Sequence, residues 1–306
     1  MVKKKENNQQ IREDDSSFYL PQDLIEEILA NLPTSSFPLS LDTRPLLLGY
    51  NVCTPVRGLI CSQDLDKLVI SNPSTGQFLV LPKLKTKRRR ISRFFGYDPI
   101  EDEYKVLCMT VLQLSFSYGL VVSEEHQVFT LGGAKAATWR TITCKLPHFP
   151  ATKGLCFNGV VYYGAWFNSD RKGSLISLLV KLPDGVEIYK SRDSDLVNYQ
   201  RKVALANHSY KGKFELWVLD KQEWSKISVV VPSWNDLVGR SLFYCRGAIS
   251  SGEFIFTPSF SDGSFFIIIS YDSKEEIVRR VEIEGIGDGS NYVTSFLDYV
   301  ECPIFL

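Results

Sequence analysis

The chain has 306 residues, 44% hydrophobic and 12% aromatic, which is ample for a large buried core. Basic and acidic residues balance at 35 each, a formal net charge of +0, so no global field points to nucleic acid, an anionic membrane or an acidic substrate. No run approaches the roughly 18 apolar residues of a membrane span, and the polar start "MVKKKENNQQIREDDSS" lacks a signal-peptide core.

Residues 1–17 are rich in Lys, Glu, Asn, Gln and Asp and are expected to be disordered. Residues 18–33, "FYLPQDLIEEILANLP", predict one short helix. Pro21 suits a first turn, and Asp23, Glu26 and Glu27 complement the positive end of the dipole. Leu24, Ile25, Ile28, Leu29 and Leu32 fall on one face before Pro33 ends the pattern. A helix this short is marginal in water and must dock, on its own chain or on a partner. Residues 34–45, with Pro38 and Pro45, read as a linker.

From residue 46 to 306 the pattern changes to period two, and the region is predicted to be all-β. Six segments repeat one design of run, turn and run. They are "DKLVISNPSTGQFLVLP", "RFFGYDPIEDEYKVLCMT", "EEHQVFTLGGAKAATWRTITC", "LISLLVKLPDGVEIYK", "KFELWVLDKQEWSKISVVV" and "FFIIISYDSKEEIVRRVEI". "GLCFNGVVYYGAW" and "RGAISSGEFIFTP" add tight turns at Asn-Gly and Ser-Gly. Hairpins recurring every roughly 25 to 50 residues suggest a β-propeller, whose blades take about 40 to 50 residues. A β-sandwich with long loops is the alternative.

No catalytic constellation is legible. His126, His148 and His208 form no zinc spacing, and there is no Cys-x-x-Cys, Gly-x-Ser-x-Gly elbow or P-loop. "GIGDGSNY" precedes a strand-like run rather than a helix, so it reads as a turn. The seven cysteines are mostly flanked by apolar residues and read as reduced, buried thiols of a cytoplasmic or nuclear protein. The expectation is a non-enzyme with no metal and no cofactor.

Two surface candidates remain. "KLKTKRRR", Lys83 to Arg90, is a basic run that reads as a solvated loop, a nuclear signal or a contact for acidic partners. "VVVPSWNDLVGRSLFY" is read as an exposed recognition loop carrying Trp234 and Asn235 as substrate-binding candidates. Trp139 and Trp224, each soon after a turn, read as core packing.

At this point the residues resemble a family. "LPQDLIEEILANLP" resembles the first helix of a plant F-box. "ISNPSTGQFLVLPKLKTKRRR", "FFGYDPIEDEYKVLCMT", "GLCFNGVVYY" and "LWVLDKQEWSKISVVVP" resemble the F-box-associated domain of type 3. The resemblance implies a mainly β, degenerate propeller-like domain behind a partial F-box helix. It also implies a substrate-receptor subunit of an SCF-type ubiquitin ligase, binding a Skp-type adaptor and through it a cullin. Leu20, Pro21, Leu24, Ile25, Ile28, Leu29 and Leu32 would face the adaptor, and the β domain would capture an unknown target protein. One departure weakens that adaptor contact: Pro33 runs straight into "TSSFPLSLDTRPLLL", where the family pattern has a second helix. The F-box reads as truncated, and a stand-alone β interaction module is the alternative.

Overall fold

The structure is a computed structural model. It describes residues 4–6, 52–64, 67–86, 90–111, 123–132, 138–144, 148–166, 173–176, 180–182, 194–207, 212–239, 241–249, 251–258, 260–261, 265–284, 291–292, 295–297 and 300–303. Strands dominate them, as period two predicts. In chain order they are β1 (Lys4–Glu6), β2 (Ile60–Asp64), β3 (Lys67–Asn72), β4 (Gln77–Val80), β5 (Arg90–Asp98), β6 (Glu103–Val111), β7 (Ser123–Leu131) and β8 (Arg140–Ile142). Then come β9 (Phe149–Pro150), β10 (Leu155–Phe157), β11 (Val160–Trp166), β12 (Gly173–Ile176), β13 (Val180–Lys181), β14 (Ser194–Tyr199), β15 (Lys202–Asn207), β16 (Lys213–Asp220) and β17 (Glu223–Val230). A short helix, α1 (Trp234–Val238), precedes β18 (Phe243–Ala248), β19 (Phe254–Pro258), β20 (Phe260–Ser261), β21 (Phe265–Asp272), β22 (Ile277–Glu284) and β23 (Asn291–Tyr292).

Neighbours in sequence pair antiparallel, so the sheets are meanders: β2-β3-β4, β5-β6-β7-β8 and β14-β15-β16-β17. A further sheet runs β1-β22-β21-β19-β18. Successive small meanders of this kind are the blades of a propeller-like fold. Val52 bridges Ser62 and the Cys53 N–H donates to the Cys61 carbonyl (2.8 Å), so an isolated antiparallel bridge sits beside β2.

The chain divides into two compact units. One comprises Glu13–Val161, Trp166–Arg171 and Tyr299–Leu306; the other comprises Met1–Arg12, Tyr162–Ala165 and Lys172–Asp298. The first has its core around Leu59, Cys61, Ile70, Val106, Cys108 and Phe129. Alternation puts them there: in β3, Leu68, Ile70 and Asn72 point inward while Lys67 points out. The second packs Phe214, Leu216, Trp234, Phe254, Phe256 and Ile269.

Three hairpins share one turn. The β3–β4, β5–β6 and β21–β22 turns each begin at Asn72, Asp98 or Asp272, whose side-chain oxygen accepts the N–H two residues on, at 2.8–3.0 Å. Each ends four residues later in left-handed backbone, at Gly76, Asp102 and Glu276. The short polar side chain closes the turn before the ladder resumes.

Of the segment 1–17, expected from the sequence to be disordered, residues 4–6 are described. Lys4–Glu6 forms β1, which pairs with Val281, Glu282 and Ile283 of β22. Strand pairing uses backbone groups, so a polar Lys-Lys-Glu triplet suffices at an edge. The predicted helix over 18–33 and the linker 34–45 lie outside the described residues.

Candidate interaction surface

The set expected from the sequence to face an adaptor, Leu20, Pro21, Leu24, Ile25, Ile28, Leu29 and Leu32, lies outside the described residues. The other predicted site is placed, and it changes character. Trp234 is 5% exposed and sits edge-on to Phe214 (4.8 Å), Phe256 (5.2 Å) and Phe243 (5.9 Å). It anchors α1 to the second unit's core, so it is not an exposed recognition residue. The segment "PSWNDLV" closes as one helical turn, which swings the indole inward and leaves Asn235 exposed. Trp139 packs on Phe129 at 5.3 Å, and its indole N–H donates to the Pro82 carbonyl at 2.7 Å, a packing role.

His126 and His148 are buried with ring centroids 5.9 Å apart, and Cys144 Sγ lies 3.8 Å from His148 Nδ1. Burial, and then the neighbouring His148, hold His126 below the usual imidazole range. Among the described residues no group of three His, Cys, Asp or Glu converges as metal ligands would.

The surface that stands out is β4. Its partner β3 pairs Val80 with Val69, Leu79 with Ile70, Phe78 with Ser71 and Gln77 with Asn72. The Leu81 N–H donates to the Leu68 carbonyl at 2.8 Å, which fixes the bonding parity. Leu79 and Leu81 therefore bond inward to β3, while Phe78 and Val80 aim their N–H and C=O groups away from it. No other strand pairs with β4 among the described residues. Phe78 is 61%, Leu79 38% and Val80 46% exposed, so both faces of this edge are apolar.

The strands β22, β17 and β8 are protected. β22 is covered by β1. β17 presents Glu223 and Lys226, the latter ion-paired to Glu215 at 2.7 Å. β8 is three residues long and begins with Arg140. Edges lacking such protection are templates for another strand. Beyond β4, Leu81 and Leu84 are buried and Lys83 and Lys85 are exposed. A small hollow lined by Gln63, Leu68, Pro82, Leu84 and Ile91 lies at this end of the strand. Thus the basic run singled out in the sequence begins next to the open apolar edge, and the sequence hid this because alternation alone does not say which strand lies outermost.

The turn into β4 is clamped from the far end of the chain. Buried Asn72 donates from Nδ2 to the Cys302 carbonyl at 2.8 Å, and the Cys302 N–H donates to Ser74 Oγ at 3.2 Å. Gly58, at φ 80°, lies under this strap; a Cβ there would overlap the Val300 carbonyl oxygen and Cys302 Cβ.

Residues 9–300 match the family of F-box associated beta propeller domains. The chain belongs to this family of plant F-box proteins. An F-box/kelch-repeat protein of Arabidopsis thaliana is 38% identical over 296 residues, covering 89% of this chain and 73% of the relative. An Arabidopsis F-box protein is 35% identical over 308 residues, covering 94% and 75%. The family name agrees with the meander sheets. Among solved structures, one chain titled as a mitotic checkpoint complex covers 78% of this chain and 81% of its own, at 11% identity and TM-score 0.37, too loose a likeness to bear on the fold.

Proposed function

We propose that this protein is the substrate receptor of an SCF-type ubiquitin ligase, with a Skp-type adaptor and a cullin on one side and a target protein on the other. What carries the reading is the family match over residues 9–300, together with F-box relatives covered over 73% and 75% of their length. The segment 18–33, where the sequence predicts a helix carrying Leu20, Pro21, Leu24, Ile25, Ile28, Leu29 and Leu32, contacts the adaptor in this reading. The β domain holds the target. The protein performs no chemistry of its own in this reading; it works in the cytoplasm or nucleus by raising the target's effective concentration at the ubiquitin-charged partner.

Adaptor binding is weak in this proposal. Stable interfaces bury about 800 Å² per partner, and one short apolar stripe supplies only part of that. The test is calorimetric titration of the full chain with a purified Skp-type adaptor. Dissociation constants in the micromolar range, lost when Leu24 and Ile28 become Asp, support it; no heat at millimolar adaptor overturns it.

A further inference from the structure

We infer that the β4 edge captures the target as an added strand, and that the target segment is extended, apolar in its strand-forming half and acidic beside it. The inference rests on the reading above that the β domain holds a target, and it names the class of that target.

Three features converge on one stretch of chain. First, the backbone N–H and C=O groups of Phe78 and Val80 point outward with no strand among the described residues to receive them. An incoming extended segment satisfies them with the same ladder that joins β3 to β4. Second, Phe78 and Val80 line one face and Leu79 the other, all exposed, so apolar side chains of an added strand find cross-strand neighbours. Third, the chain leaving β4 sets the Lys85 ammonium group on the surface. Positive charge at one end of an apolar edge selects acidic residues at the corresponding end of the partner and disfavours basic ones. Backbone pairing supplies affinity for any extended chain; the charge supplies the choice between chains.

The probe is a ten-residue synthetic peptide, labelled at one end, with a Val/Thr half and a Glu/Asp half. Its companions are the same peptide with Lys replacing the acids, and one with alternate amides N-methylated. Fluorescence anisotropy with the full-length protein is expected to give a dissociation constant on the order of 10–100 µM for the acidic peptide, in keeping with a small interface. The basic and N-methylated peptides are expected to bind at least about tenfold more weakly, the loss of one or two hydrogen bonds or of charge matching. Val80→Pro removes one outward donor while leaving the inward bonds of Leu79 and Leu81, and it should weaken the acidic peptide about tenfold. Lys85→Glu should reverse the charge preference.

Equal binding of the N-methylated peptide overturns strand addition, and it does so without altering the protein. Indifference to peptide charge overturns the acidic class. Protection of the Phe78 and Val80 amides from hydrogen exchange in the free protein would mean that the chain itself fills the edge. A concentration-dependent dimer abolished by Val80→Pro would mean that a second copy does. Either overturns the inference. Adaptor titration is a separate measurement, so a chain that binds adaptor but no peptide retains the receptor reading and loses this one.

Discussion

Asn72 and Cys302 lie 230 positions apart in sequence, yet the Asn72 amide donates to the Cys302 carbonyl at 2.8 Å inside the protein. The same side chain closes its own turn by accepting the Ser74 N–H at 3.0 Å. Replacing Asn72 by Ala removes the donor to the buried Cys302 and the acceptor of the Ser74 N–H, and is expected to cost about 1–3 kcal/mol. Asn72→Asp keeps the turn but loses the donor, so it should also loosen the strap. Urea titration measures the first effect, and faster proteolysis near residue 300 reports the second. Full stability in both variants would show that the strap is not held there.

Two hairpin turns use residues ill suited to them. Gln200-Arg201 and Lys221-Gln222 take φ of 48°, 61°, 46° and 73°, left-handed backbone without a glycine. The corresponding turn between β10 and β11 uses Asn158-Gly159, the preferred pair. Lys221→Asn with Gln222→Gly is expected to stabilise the protein by about 1 kcal/mol, seen as a higher urea midpoint at unchanged slope.

Trp234 and its neighbour Asn235 separate core from surface. Trp234→Ala empties a site among Phe214, Phe243 and Phe256 and should cost about 3–5 kcal/mol. Asn235→Ala, on the exposed side of α1, should stay within about 0.5 kcal/mol. Thermal melts of the two variants decide between a packing and a contact role.

His126 makes stability depend on pH in one direction. Its folded pKa is lowered, so the unfolded chain binds the proton more readily. The stability it contributes is complete above the ordinary imidazole value of about 6.5 and falls as pH drops below it. His126→Gln should flatten the fall in melting temperature between about pH 6.5 and 5. A stability that rose over that interval would contradict the burial described.

Much of the strand order was legible because period two is written in single residues. "NPSTG", "DPIED" and "DSKEE" announced their turns through Asn, Asp and Pro, and the structure puts them where the sequence did. The β14–β15 hairpin was missed because "YQRK" contains no turn-forming residue, and the tertiary ladder imposed the left-handed backbone. Trp234 was misjudged for a related reason: Pro and Asn beside it mark a break in the strands, but a break can be a buried helical turn as easily as an open loop. The open edge was not legible at all. Phe78, Leu79 and Val80 look like a core strand in sequence, and only the sheet order shows that no strand among the described residues pairs beyond them.

The strap over Gly58 and Asn72 also sets a timetable. During synthesis the β2-β3-β4 sheet leaves the ribosome long before residue 300, and from Val161 to Val300 there are 139 further residues to add (300 − 161). At roughly 5–20 residues per second that takes about 7 to 28 s. Throughout that time the Asn72 amide lacks its acceptor and the first unit lacks its last piece. In this state the turn into β4 is without the two hydrogen bonds that Cys302 supplies.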